Sequence, residues 1–486
     1  MKYVLIGHDR DTAVQETLIS LLPDELHPRA EQLGDGEDGL VSEASVHANG
    51  VSVTARVFRN GVRTEHRCEV PAEGDAAEQK RQLSYAVKLS VYRALLPLLA
   101  EHPVWGAMTG VKPAKPARFV LEAGGNEEEA ARHLVEHYDV TPRRAAIAAR
   151  CAAAALAVER SLDPREVQLY IGIPFCPAKC SYCSFVSNST QKAAHLVEPY
   201  LEALLEEISA ASELLAHAGA SVGSLYIGGG TPTVLNESQL DRLLDAVCTS
   251  LPLGGCREFT VEAGRPETIT LDKLRSIAAH GAHRISINPQ TMQDNVLRGV
   301  GRLHTAQDIV RTYALARETA DFCINMDLIA GLPDDDDAGL YDSVCKVADL
   351  APENVTLHCL ARKKGAPLRY GKQGVLSAAA LDVCYDRLAA SGYAPYYLYR
   401  QKYSAGLLEN VGFCISGAQS HYNICMMEEL GSVIALGAGG VTKLCWEHGE
   451  KIARVSNPKY PHEYIASRQE IAERKRNLFT NDCARF

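Results

Sequence analysis

Residues 168–185 read QLYIGIPFCPAKCSYCSF, an apolar run that ends at Pro174 and Phe175 and passes straight into three cysteines. A short apolar run closed by a turn residue is the signature of a strand buried on both faces. The same signature recurs five more times, as SVGSLYIGGG (221–230), REFTVEAG (257–264), HRISINPQ (283–290), FCINMDLIAGLP (322–333) and NVTLHCLA (354–361). Helical patterns fill the gaps and start near Lys192, Gln239, Leu271, Asn295 and Ala338. Asn236 and Ser238 stand ahead of the second, and Thr305 to Asp308 form a capping-box pattern. Six strands with a helix between neighbours define an α/β parallel sheet with right-handed crossovers, doubly wound or curved into a barrel. In either form the chemistry gathers at the C-terminal ends of the strands.

Upstream, residues 1–160 read as an α+β module. Lys2–Gly7 is a short strand, Thr12–Leu22 a helix, Val46–Phe58 an alternating strand with Arg63–Val70 as its hairpin partner, and Ala76–Glu101 a long helix. The Pro-rich stretch TGVKPAKPARFV (109–120) punctuates the chain before further helices over 127–160. Downstream of the alternating region, residues 366–486 hold a helical pattern, the aromatic and basic YAPYYLYRQKY and the Gly-rich SVIALGAGGVT. The expected organisation is an accessory module (1–160), the alternating region (161–365) and a C-terminal part (366–486) that closes it.

The 486 residues are 46% hydrophobic and 23% charged, and 50 Lys+Arg against 60 Asp+Glu leave a formal charge of 50 − 60 = −10. Clustered positive charge carries phosphate-backbone binding, so the balance points away from a nucleic-acid partner. The opening MKYVLIGHDRD has too short an apolar run for a secretory signal, and AAIAARCAAAALAV (145–158) is too short, and broken by Arg150, for a membrane span. Fifteen cysteines scattered along such a chain fit a reducing, cytoplasmic setting, where closely spaced thiols are metal ligands before they are bridges.

Cys176, Cys180 and Cys183 lie within eight residues, in a loop opened by Pro174. Three ligands suit a four-iron cluster with one iron left open. Structural zinc asks for a fourth ligand, and none follows at a usual spacing, while incidental spacing is the third reading. Gly228–Gly230 and Thr231 end the second strand; a plain tight turn explains them equally well until the cysteine loop next door asks for close backbone approach. Glu262, Gln290 and Asp327 mark the ends of successive strands, and Arg302 is placed to pair with a carboxylate there. The run Asp334–Asp337 reads as a helix N-terminus. Arg400 and Lys402, among Tyr396, Tyr397 and Tyr399, offer a platform for an anionic substrate; His421 or Met426 is a candidate axial ligand for haem. Cys414, Cys425 and Cys445 have gaps that fit no ligand pattern, and the remaining cysteines, Cys483 near the terminus aside, read as packing.

Together these residues resemble the radical S-adenosylmethionine (SAM) signature of the oxygen-independent coproporphyrinogen III dehydrogenases. The match runs from Tyr170-Ile-Gly-Ile-Pro-Phe-Cys176-x3-Cys180-x-Tyr182-Cys183 through Gly228-Gly-Gly-Thr-Pro-Thr233, Glu262 with Pro266, Arg284-x-Ser286 to Gln290, Arg302 with His304, and Asp327-Leu-Ile-x-Gly-Leu-Pro333. The N-terminal module and the YYLYRQK and ENVGF segments are similar to the longer, HemZ-type members. The resemblance implies a partial (β/α)6 barrel and an enzyme whose [4Fe-4S] cluster, held by Cys176, Cys180 and Cys183, binds SAM at its open iron. It assigns Gly229, Gly230 and Thr231 to the methionine part of SAM, and Glu262, Gln290, Arg302 and Asp327 to its ribose and charged groups. Tyr170 and Tyr182 flank the cluster and sulfonium, with Tyr170 and Asp327 at the reacting centre. The implied reaction turns two propionates of coproporphyrinogen III into vinyl groups, with electrons from a donor such as flavodoxin or ferredoxin.

Five positions, at three places in the chain, depart from the dehydrogenase pattern. Gly172 stands where that pattern has His, Ser184-Phe185 replaces a Gly-Cys pair, and Asn288-Pro289 replaces Gly-Val. The Ser-Phe form recurs in relatives that act as haem chaperones. The alternatives to decarboxylation are therefore haem binding and delivery, or another radical SAM reaction on a tetrapyrrole such as methyl transfer or ring opening.

Overall fold

The computed structural model describes all residues except 49, 72, 364, 371–373, 375, 447–450 and 483–486, so Cys483 lies outside the described residues. The chain divides into two units, Met1–Ala153 and Ala154–Phe486.

The second unit is built on one sheet of eleven strands. Six of them, β1 (Glu166–Ile173), β2 (Ser221–Gly229), β3 (Glu258–Glu262), β4 (Arg284–Ser286), β5 (Cys323–Ala330) and β6 (Asn354–Cys359), are neighbours in chain order and all parallel. These are the six strands legible in the sequence, and they form the partial (β/α)6 barrel of an α/β fold. The crossovers are α1 (Val197–Ala218), α2 (Glu237–Ser250), α3 (Leu271–Ala279), the pair α4 (Asp294–Gly299) and α5 (Ala306–Thr319), and α6 (Asp337–Leu350). Asn236 with Gln239 and Thr305 with Asp308 form reciprocal capping boxes, each satisfying backbone N–H groups that a helix start leaves unpaired. Asp336 caps α6 by accepting from the Gly339 N–H, the task expected of the acidic run.

Residues beyond the barrel extend the same sheet on both flanks. After α7 (Ala378–Ala390), β7 (Ala394–Arg400) and β8 (Glu409–Cys414) form a hairpin whose β8 pairs antiparallel with β6. α8 (His421–Glu428) follows, and β9 (Ser432–Leu436) then pairs parallel with β1 and is continued by the antiparallel strands β10 (Val441–Trp446) and β11 (Lys451–Ser456). Helices α9 (Pro461–Ala466) and α10 (Arg468–Asp482) end the chain. The outward residues of the parallel strands, such as Leu169, Ile171, Leu225, Ile227, Val261, Ile285, Ile324, Leu328 and Val355, are fully buried beneath the helices. That apolar layer leaves the other face of the sheet free to carry polar side chains.

The first unit has a four-stranded sheet, Lys2–Ile6, Gly39–His47, Gly50–Arg59 and Val62–Val70 in spatial order. The alternating run expected as one strand over Val46–Phe58 falls in two, Gly39–His47 and Gly50–Arg59, which pair antiparallel from His47 opposite Gly50. The helices Asp11–Leu21 and Ala76–Leu95 cover one face and bury Val14, Leu18, Val87, Val91 and Leu95 against Leu40, Val53, Ala55 and Val57. No helix among the described residues is long and apolar enough to cross a membrane.

Candidate active site

The polar face of the barrel encloses a cavity of about 880 Å³. The twelve residues that the sequence assigns to the cluster and SAM all line it: Cys176, Cys180 and Cys183, Tyr170 and Tyr182, Gly229, Gly230 and Thr231, and Glu262, Gln290, Arg302 and Asp327. Parallel strands explain the convergence. With their ends in register, the residues that leave successive strands face one opening.

Cys176 and Cys180 are buried and Cys183 is half-buried. Thr231 Oγ1 donates to Cys176 Sγ at 3.5 Å, and Arg265 Nη2 donates to Cys180 Sγ at 2.9 Å and to Ala178 O at 2.7 Å. Among the described residues no three His, Cys, Asp or Glu side chains converge on one ion-sized point. A four-iron cluster, whose thiolates bind different irons, asks for a wider spread than the tetrahedron of a single zinc. The glycine turn fits such a group. A Cβ on Gly230 would stand 2.4 Å from Phe175 O and 2.9 Å from Cys176 Sγ, and Gly229 has φ +112°, a conformation side chains rarely adopt. The Gln290 Oε1 is buried without a hydrogen-bond partner, a group poised for a ligand donor.

The surroundings shift the two carboxylates in opposite directions. Burial and the nearby charge of Asp327 push the Glu262 carboxyl up to about 8, although the Gly229 N–H donates to it at 3.2 Å. Burial also works to raise Asp327, but His358, 3.8 Å away, with Asn325 and Thr356, brings it below its ordinary value. Asn325 Nδ2 donates to Asp327 at 2.8 Å. Arg302 spends three of its donors on Tyr182 OH, Gly264 O and Asn288 O, which fixes its guanidinium at the cavity wall.

A second wall faces these groups. Tyr170 stacks on Tyr226, its register partner on β2, and Tyr226 stacks on Tyr422, with ring centroids 6.3 and 4.8 Å apart. Tyr422, Asn423, Met426 and Met427 all reach the cavity from α8, since positions four apart share a helix face. Tyr397, Tyr399 and Gln401 complete the wall, and Tyr399 OH lies 3.2 Å from His358 Nδ1.

Two expectations need correction. The platform of Arg400 and Lys402 does not line the cavity: strand alternation sends Tyr397, Tyr399 and Gln401 inward and Arg400 outward, where its guanidinium donates to Leu407 O at 3.3 Å. His421 is not placed as a haem ligand either. It is the first residue of α8, buried beneath the strands, with Nε2 3.2 Å from Glu166 Oε1 and its backbone N–H donating to Glu258 at 2.6 Å. Met426 does line the cavity. Cys414 and Cys425 pack in an apolar cluster with Tyr396, Tyr397 and Leu430.

Sequence reasoning missed His358, Arg265 and Tyr226. The period of two was the available signal: Asn325 and Asp327 on β5, and Thr356 and His358 on β6, alternate onto one face.

Comparison with known proteins agrees with this geometry. Residues 170–344 match the model of the Radical SAM superfamily. The chain is 35% identical over 429 residues to the "Oxygen-independent coproporphyrinogen-III oxidase-like protein HemZ" of Bacillus subtilis (strain 168), covering 85% of this chain and 84% of that one. It is 28% identical over 314 residues to the "Heme chaperone HemW" of Escherichia coli (strain K12), covering 63% and 78%. The solved structure of coproporphyrinogen III oxidase (HemN) from Escherichia coli superposes with a TM-score of 0.51 at 24% identity, over 65% of this chain and 72% of that one. Radical SAM proteins use a [4Fe-4S] cluster and SAM, the pair of cofactors for which the cysteine loop and glycine turn are suited. The chain belongs to the radical SAM superfamily and, within it, to the HemZ-type family of oxygen-independent coproporphyrinogen-III oxidase-like proteins.

Proposed function

We propose that this chain is a cytoplasmic radical SAM oxidoreductase that converts propionate side chains of coproporphyrinogen III to vinyl groups without oxygen, giving protoporphyrinogen IX for haem synthesis. The observation that carries the reading is the shared cavity: the cysteine loop and the polar strand ends line the same space as the wall of Tyr397, Tyr399, Gln401, Met426 and Met427. At about 880 Å³ it is near the upper end of the roughly 300–1,000 Å³ of small-molecule sites, room for more than SAM alone. The coproporphyrinogen oxidases among the relatives supply the substrate class.

In this reading Cys176, Cys180 and Cys183 hold the cluster, and Gly229 and Gly230 let backbone approach the methionine part of SAM. Glu262, Gln290, Arg302 and Asp327 orient its ribose and charged groups, and Tyr170 and Tyr182 close the space around the sulfonium. Once bound there, the cluster and SAM would supply one-electron, hydrogen-abstracting chemistry. Removal of a hydrogen atom from the propionate β-carbon, of carbon dioxide and of one electron leaves the vinyl group. A flavodoxin or ferredoxin gives the first electron, and an acceptor takes the last. The apolar and aromatic wall would hold the substrate's propionate against the cofactors and keep bulk solvent out of the site.

The test is anaerobic incubation of reconstituted protein with reductant, SAM and coproporphyrinogen III, followed by mass spectrometry of the tetrapyrrole. Successive losses of carbon dioxide matched by 5′-deoxyadenosine are expected. Intact substrate after many equivalents of SAM are cleaved overturns the reading. Stoichiometric haem capture without decarboxylation would assign the chain to haem delivery, as in the HemW relatives.

A further inference from the structure

A substrate with four carboxylates must enter a cavity that holds Glu262 and Asp327, in a chain of formal charge −10. It needs local cations, and among the described residues five Lys and Arg side chains line the cavity: Arg265, Arg284, Arg302, Lys363 and Lys459. The three arginines are buried and engaged. Arg265 is spent on Glu267, Ala178 O and Cys180 Sγ; Arg284 on Cys323 Sγ, Asn354 and Ala418 O; Arg302 on Tyr182 OH, Gly264 O and Asn288 O. They hold the walls together.

Lys363 and Lys459 differ from them on every count. Both are exposed, and neither takes part in an ion pair among the described residues. Lys363 follows β6, on one flank of the six parallel strands, within electrostatic reach of Cys183. Lys459 follows β11, on the other flank; Gly439 N–H donates to Pro458 O at 2.8 Å, which sets this segment beside Ala438, Gly439 and Gly440 at the cavity wall. Among the described residues the cavity therefore has one uncommitted ammonium on each side of the half-barrel. A lysine is a flexible point charge that follows a mobile carboxylate, whereas the arginines are locked in place.

We propose that Lys363 and Lys459 are the substrate-recognition pair, each receiving a propionate carboxylate from opposite sides of a polycarboxylate tetrapyrrole. The assignment rests on the tetrapyrrole reading above and adds to it the residues that read the substrate's charge. Neither lysine is among the residues assigned to the cluster or to SAM, so substrate capture can be tested apart from SAM handling.

The test uses the cluster-loaded protein and coproporphyrin III, the stable oxidised tetracarboxylate, followed by porphyrin fluorescence. Lys363→Gln and Lys459→Gln are each expected to weaken binding about three-fold, and the double variant about ten-fold. Lys363→Glu should weaken it further than Lys363→Gln, and added salt should weaken the wild type more than the double variant. The change that SAM makes to the electron paramagnetic resonance spectrum of the reduced cluster should be the same in all variants. Unchanged porphyrin affinity in the double variant, or a lost SAM response, overturns the proposal and leaves the tetrapyrrole reading standing. A wild type that binds no coproporphyrin III overturns both.

Discussion

At the scale of single residues, Glu262 and Gly230 make the sharpest demands. With the Glu262 carboxyl pushed up to about 8 from an ordinary 4.5, the folded chain keeps a proton that the unfolded chain has lost between those values. Stability is therefore free of this cost below about pH 4.5 and falls as pH rises toward 8. Glu262→Gln should flatten that fall, roughly 4–5 kcal/mol over the whole interval, in the cofactor-free chain, read as the pH dependence of the urea midpoint. An unchanged profile would mean that water already relieves the buried charge. Gly230→Ala tests the turn. Its new methyl would meet both Phe175 O and Cys176 Sγ inside contact distance, so the cysteine loop must move. Iron per chain after anaerobic reconstitution should fall several-fold while the thermal midpoint changes little. Full iron loading would show that the loop accommodates the methyl.

At the scale of elements, α8 is a short helix held at its N-terminus by a carboxylate. Glu258, buried in β3, accepts from Ser420 Oγ at 2.8 Å, from the His421 N–H at 2.6 Å and from Thr260 Oγ1 at 3.2 Å. A negative charge there satisfies orphan N–H groups and complements the helix dipole. Glu258→Gln should cost about 1–3 kcal/mol in chemical denaturation, because the amide offers one acceptor oxygen where the carboxylate offers two. Since α8 carries Tyr422, Asn423, Met426 and Met427 into the cavity, porphyrin affinity should fall with it. A stable variant with weakened porphyrin binding would separate the two roles.

For the second unit as a whole, one carboxylate joins the barrel to the end of the chain. Glu207 on α1 accepts from the Gly437 N–H at 2.7 Å, from Asn457 Nδ2 at 2.9 Å and from Tyr464 OH, and pairs with Lys475 Nζ. Both members of the pair are at most 5% exposed, so each charge depends on the other. Lys475→Met should destabilise the unit by about 3–5 kcal/mol by leaving Glu207 buried without its cation, and Glu207→Gln added to it should recover part of the loss. A double variant no more stable than Lys475→Met would show that Glu207 is worth its hydrogen bonds alone. The same network sets the β9–β10 turn against Gly172 O through Tyr200, which places the wall that carries Lys459.

The sequence by itself determined the six parallel strands, the cysteine loop and the residues at the strand ends. Each depends on neighbours in the chain: apolar runs of strand length, thiols at most seven residues apart, and caps three residues apart. It also carried enough to mark Glu262, Gln290 and Asp327 as facing one opening, because parallel strands repeat their geometry. Only the tertiary structure decided which side of the Tyr396–Lys402 segment faces that opening, and it chose Tyr397, Tyr399 and Gln401 over Arg400 and Lys402. Alternation says that neighbours oppose each other; it does not say which of them points inward. His421 was legible as a histidine and illegible as a core residue, since the glutamate beside it, Glu166, is 255 positions away in the chain. The spare charge of Lys363 and Lys459 was equally out of reach, because a lysine is uncommitted only by virtue of what the fold has failed to bring near it.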